Sequence, residues 1–231
     1  MDFFEVINRR RSVRDFTAEV VPDLVIEKAL EAAILAPNSS NTQTWNFYWI
    51  KSTEAKAKIV EACLSQSAAR KANQLIVVTA DPALWRRSQK PLIEWATSTN
   101  VRKSVKLYYE KLIPFIYRWG YFNSLVPIKY LLANTVGLFR PMARGPYSCR
   151  DSQEVAIKSA ALAAENFVLA IAAQEFDTCM MEGFDEARVR CLLKLKCSER
   201  VVMVISIGRQ DSKGIWGPRF RLPKEQVIKI I

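Results

Sequence analysis

The chain has 231 residues, half of them apolar, and a formal net charge of +11; this length suits one domain, and the composition argues against disorder. It contains no histidine, which excludes Ser-His-Asp and Cys-His catalysis and every mechanism with an imidazole base. Its seven glycines form neither a G-x-G-x-x-G turn nor a P-loop, so any bound phosphate must be held mostly by side chains.

With no imidazole, a cofactor that carries its own chemistry becomes attractive. Five cysteines without C-x-x-C spacing read as reduced thiols rather than a zinc site or disulfide framework. Charges within Met1 to Arg14 argue against a signal peptide, so a cytoplasmic protein is expected.

In chain order, Phe3 to Arg10 reads as a short helix. Pro22-Asp23 opens a stronger one with apolar residues at helical spacing, ended by Pro37. Trp45 to Ile50 is a short strand, Thr53 to Leu64 a helix, and Leu75 to Thr79 a buried strand closed by Asp81-Pro82.

Residues 84–150 differ from the rest. They hold twelve Lys/Arg against Glu94 and Glu110, a net +10, and are dense in aromatics, while the remainder of the chain carries +1. The segment reads as a basic, mostly helical insertion. The apolar run from Leu125 to Ala143 is interrupted by Lys129 and Arg140 and is too short for the roughly 20 residues of a membrane span. A solvated helical lid is the favoured reading; contact with an anionic membrane surface is second, and nucleic acid is disfavoured.

Asp151 and Glu154 have capping-box spacing and predict a long helix to about Gln174. Its AALAAENFVLAIAA stretch is apolar on nearly every face, which predicts burial all round, part of it against another subunit. A helix over 188–196, a β-branched strand over 201–207 and a polar tail follow. Helices with few strands and no regular βαβ alternation point to an α+β fold.

Three clusters carry chemistry. Arg9-Arg10-Arg11-Ser12-Val13-Arg14 offers guanidinium forks suited to phosphate. Pro37-Asn38-Ser39-Ser40-Asn41-Thr42-Gln43 offers amides and hydroxyls suited to the polar edge of a flat heterocycle. Finally, alternation in Pro218-Arg219-Phe220-Arg221-Leu222-Pro223 puts both arginines on one side of an extended segment.

In this order and spacing the three clusters resemble those of the FMN-dependent nitroreductase family, and Met180-Met181-Glu182-Gly183-Phe184-Asp185, after the long helix, is similar to that family's Pro-x-Glu-Gly-Phe-Asp turn. The match covers roughly residues 1–80 and 151–223. Asn38, Thr44 and Met180 depart from the family's usual Ser, Pro and Pro.

The resemblance implies a single 1–231 domain: a small central, mostly antiparallel sheet flanked by helices, with 84–150 inserted as a lid. It implies a homodimer with FMN as cofactor, NADH or NADPH as donor and a small-molecule acceptor such as a nitroaromatic or quinone. Reductive dehalogenation, metabolite oxidation and a non-catalytic binding protein are the alternatives.

By the same resemblance Arg10, Arg11, Ser12 and Arg14 meet the FMN phosphate, ribityl chain and pyrimidine edge. Pro37, Asn38, Ser39 and Asn41 reach the flavin of the other subunit. Glu182 and Gly183 lie beside the ring, and Arg219 and Arg221 hold the phosphate.

Overall fold

Four short segments, three of them rich in β-branched and aromatic residues, pair into one sheet. In the computed structural model, which describes residues 1–99 and 101–231, these are β1 (Trp45–Trp49), β2 (Gln74–Ala80), β3 (Asp177–Met181) and β4 (Arg200–Gly208). They lie in the order β1-β2-β4-β3, and every pair is antiparallel. The helices among the described residues are α1 (Phe3–Arg9), α2 (Asp23–Ile34), α3 (Thr53–Ala62), α4 (Ser67–Arg70), α5 (Trp85–Ser98), α6 (Lys103–Leu107), α7 (Ile113–Tyr117), α8 (Leu125–Phe139), α9 (Cys149–Ala173), α10 (Glu186–Leu193) and α11 (Lys224–Val227).

Side chains alternate across a strand, and β2 shows the consequence. Ile76, Val78 and Ala80 enter a core layer with α2 and α9, whereas Leu75 and Val77 enter a second layer with α3, α4 and α10. Helices therefore cover both sheet faces, which is why β2 and β4 read as continuous apolar runs rather than as alternating ones. The expected α+β architecture, a small antiparallel sheet flanked by helices, is what the chain adopts.

The long helix α9 supplies much of the first layer, with Ala160, Ala163, Ala164, Phe167, Val168 and Ile171 fully buried. It is long and apolar enough to cross a membrane by composition, but half of that window is packed inside the domain. Its cap corrects the sequence expectation. The capping box pairs Ser148 with Asp151, the Ser148 hydroxyl accepting from the Asp151 N–H and the Asp151 carboxylate accepting from the Ser148 N–H. A serine hydroxyl can cap the free amide while an acid at the third helical position reaches back; Glu154 instead pairs with Lys158 one turn on. Backbone donors at Ser148 and Tyr147 hold the Asp151 carboxyl below its ordinary range.

A second correction concerns β3. The sequence reading placed only a turn after α9, but Asp177–Met181 pairs with residues 204–208 of β4. Asp-Thr-Cys-Met-Met has little strand propensity of its own; the ladder, not the local sequence, makes it a strand.

Several polar residues are buried at the sheet, and one of them, Glu199, gathers side-chain donors around it. Glu199 is 5% exposed and accepts hydrogen bonds from Asn46, Tyr48 and Thr79. Burial and then the Glu199 charge push the Tyr48 phenol up to about 12. The phenol ionises near 10 in an unfolded chain, so its contribution is complete below that pH and is lost as pH rises toward 12. We expect Tyr48→Phe to cost about 1–3 kcal/mol at neutral pH through the lost bond to Glu199. The gap from wild type should narrow from pH 10 upward, read by urea unfolding across an alkaline pH series.

Candidate functional site

Residues 12–16 run along the end of β3 as an extra extended segment. Ser12 forms a parallel bridge to Thr178, the Val13 N–H donates to Thr178 O at 2.9 Å, and the Arg14 N–H donates to Gly214 O at 2.8 Å. The tail lies so close that a Cβ at Gly214 would stand 2.7 Å from Asp15 O, so only glycine allows this approach.

These contacts bring the first and last clusters together. Arg10, Arg11, Ser12, Arg14, Arg219 and Arg221 line one cavity of about 290 Å³, and no acid lines it. Trp216, Gly217 and Phe220 complete its wall. The expected strand over the last cluster is absent: residues 218–221 are irregular. What joins the clusters is hydrogen bonding to the end of α1, not a ladder.

The arginines have separate tasks. Arg9 faces away, donating to the carbonyls of Ala172 and Glu175 at the C-terminal end of α9, where the helix dipole favours a cation. Arg219 donates to the carbonyls of Ile7, Asn8 and Arg10 at the end of α1. Arg11 donates to Gly217 O at 2.6 Å. Arg14 lies over the Trp216 ring, 4.4 Å from its centroid.

Arg10 and Arg221 are less engaged. Among the described residues the Arg10 side chain has no protein acceptor, and that of Arg221 meets only its neighbouring carbonyl, Phe220 O. Loss of solvation, then repulsion from Arg221, Arg11 and Arg10, holds the Arg219 guanidinium below its ordinary range. An anion in the cavity would relieve this repulsion.

Glu182 and Gly183 follow directly on β3 and are exposed. Gln66 Nε2 donates to Gly183 O at 2.7 Å, which fixes this turn. The Gly183 N–H has no acceptor among the described residues, leaving it free to meet a ligand.

The polar loop stands elsewhere. Pro37, Asn38 and Ser39 line a different cavity with Val155, Lys158, Ser159 and Leu162 on the outer side of α9, and the two cavities share no residue. The Asn38 amide is spent inside the loop, accepting from the Gln43 N–H at 2.9 Å and donating to Ala36 O at 3.3 Å. Asn41 is exposed. Positive φ at Ser40, Asn41 and Gln43 shows a tightly folded loop, with strain that amide and hydroxyl side chains help to relieve.

The basic segment grips this loop. Arg87 donates to the carbonyls of Gln43 and Trp45 and to Asn46 Oδ1, Ser88 donates to Thr42 O, and the hydroxyls of Tyr108 and Ser40 share a hydrogen bond. Its own small core joins Trp85, Leu92, Tyr109, Ile113 and Tyr117. Sequence reasoning missed Gln66, Tyr108 and Trp216. The first two carry no local signal, and Trp216 sits in a stretch whose only visible features were its polar residues, glycines and prolines. No group of His, Cys, Asp and Glu among the described residues has metal-site geometry.

Comparison with known proteins gives the family. The family model for the Nitroreductase family matches residues 7–209. Protein DrgA of Synechocystis sp. is 29% identical over 217 residues, 93% of this chain and 88% of its own. An NADH dehydrogenase of Thermus thermophilus is 23% identical over 236 residues, covering 95% and 91%. A nitroreductase-type protein of Exiguobacterium sibiricum, solved in complex with FMN, superposes with a TM-score of 0.73 over 100% of this chain and 98% of that one, at 20% identity. The chain belongs to the nitroreductase family of oxidoreductases.

The division of tasks among the arginines has a measurable consequence. Arg219→Ala should lower unfolding stability by about 1 kcal/mol, because three carbonyls at the solvent-accessible end of α1 lose a charged donor. Arg10→Ala should leave stability unchanged or slightly raised, since it removes only repulsion. Urea denaturation of the two variants beside wild type checks the contrast.

Proposed function

We propose that this chain is an FMN-dependent oxidoreductase that works as a cytoplasmic homodimer, taking electrons from NADH or NADPH to a nitroaromatic, quinone or related acceptor in ping-pong order. The observation that carries the reading is the arginine-lined, acid-free cavity assembled from the first and last clusters. A phosphate monoester fits it on charge and on donor geometry. FMN, when bound, supplies the hydride chemistry.

The residues of the chain would then bind and orient. Arg10 and Arg221, whose guanidiniums are least engaged, would meet phosphate or the pyrimidine edge, with Arg11, Ser12 and Arg14 beside them. Cationic side chains near the pyrimidine edge also stabilise negative charge that builds there on reduction. The unpaired Gly183 N–H, with Glu182, would face the ring. Arg219 would act chiefly by holding the cavity wall to α1 while adding positive potential.

Two facts support the dimer. The polar loop and the arginine cavity are separate in one subunit, so Pro37, Asn38, Ser39 and Asn41 need a second copy to meet the same ligand. Ile34 and Leu35 at the end of α2 and Leu162 on α9 are exposed apolar side chains, an unfavourable arrangement unless covered. Residues 84–150, anchored on that loop, would form a lid that selects the acceptor.

The purified protein should be yellow, or bind added FMN, at one per subunit in a dimer. A stable monomer holding stoichiometric FMN by size-exclusion and absorbance would overturn the shared site. Arg10→Ala or Arg221→Ala should weaken FMN about tenfold or more, equivalent to one charge-assisted bond, whereas Arg86→Ala and Arg102→Ala should change it little. Fluorescence titration of flavin distinguishes the two sets.

A further inference from the structure

The stretch 111–150 contains no acid and six Lys/Arg, and within it α8 presents an unusual surface. Only Lys129 and Ala133 of α8 are buried. The Lys129 ammonium donates to Ile116 O at 2.8 Å and Arg118 O at 2.6 Å, pinning α8 to the end of α7. Burial lowers its pKa from the ordinary lysine value. Val126, Asn134, Val136 and Gly137 are half-buried, and most of the remaining helix is exposed, with Leu131, Leu138 and Phe139 at 68%, 80% and 85%.

The loop before α8 extends the patch. Tyr121 and Phe122 stand fully in solvent, and Phe122 sits in left-handed backbone, φ 48°, a conformation that costs a bulky residue energy. Beneath α8 an apolar cavity of about 400 Å³ opens between Phe115, Leu132 and Met142. Exposed basic residues frame the whole: Arg118 before the helix, Arg140 and Arg144 after it.

An exposed apolar helix framed by cations, with aromatics at its tip, is the pattern of an element that lies in a bilayer interface. Fifteen residues are too few to span one, which needs about 20. A second copy of the same face is a poor occupant, because it would set cation against cation with no acid in the segment to compensate.

We propose that α8 and the Tyr121–Phe122 tip seat this protein on an anionic lipid bilayer. Leu131, Leu138, Phe139 and Phe122 enter the acyl boundary, and Arg118, Arg140 and Arg144 meet the phosphate level. The attraction is part hydrophobic and part electrostatic, so it requires both sets of side chains and weakens with salt.

The test is co-sedimentation of the full chain with vesicles of phosphatidylcholine alone or with about a third phosphatidylglycerol. The protein should pellet with the anionic vesicles at low salt, and release as salt rises. Phe122→Ser with Phe139→Ser, and separately Arg140→Gln with Arg144→Gln, should each reduce partitioning about tenfold. All four residues are exposed, but Arg144 also donates to Asn134 Oδ1 and Gly137 O of α8, so circular dichroism checks that the helix survives and Arg140→Gln alone, which removes no such bond, should still weaken partitioning. Absence of binding to anionic vesicles at low salt overturns the proposal. So does a loss confined to the arginine pair, which marks general charge attraction. If the phenylalanine pair alters native mass and leaves partitioning unchanged, a second copy covers the face instead. Partitioning does not depend on flavin, so its outcome is separate from that of the FMN titration.

Discussion

The pairing of β3 with β4 is the constraint on which the rest of the site depends. Residues 12–16 attach to Thr178 and to the tail, and Glu182 and Gly183 follow immediately on the last β3 residue. Because β3 is an edge strand, its outer side is free to receive the N-terminal segment; a central strand would have none to offer. One five-residue ladder thus carries the arginine cluster, the glycine turn and the tail to neighbouring positions. Gly208, at the end of β4, admits the Phe16 ring against its backbone; a Cβ there would stand 2.8 Å from the ring.

Like charges gather at that place at an energetic cost, and the chain manages it unevenly. Arg9, Arg11 and Arg219 are stabilised by backbone carbonyls, two of the three at helix C-termini where dipoles favour cations. Arg14 is stabilised by an indole face. What remains is an excess of positive potential carried by Arg10 and Arg221, with no acid in the cavity wall. Any anion entering that cavity would meet guanidinium side chains rather than a glycine loop.

The basic segment has two different sides. Its inner side is fixed by Arg87, Ser88 and Tyr108 to the polar loop and by a small aromatic core. Its outer side, α8 and the tip before it, is pinned through one buried lysine and is otherwise apolar and open. Position on the chain made both sides look alike, since arginine and aromatics are mixed throughout; only contact separates structural cations from exposed ones.

Much was legible in the sequence because it is local. Strands β1, β2 and β4, helices α2, α3 and α9, the α+β class and three of the clusters follow from periodicity, capping and residue type, which nearest neighbours in the chain express; the turn at Glu182 and Gly183 was legible only through the family resemblance. What was illegible is non-local. Strand β3 exists because β4 offers it a ladder, and Ser148 rather than Asp151 caps α9 because its hydroxyl is the one in place to do so. Arg219, grouped by alternation with Arg221, is instead bound to carbonyls of α1 more than 200 residues earlier in the chain. Residue types and their order determined the chemistry this protein is equipped for. Tertiary structure alone decided which arginine is a staple and which is free, because that depends on acceptors brought close by folding.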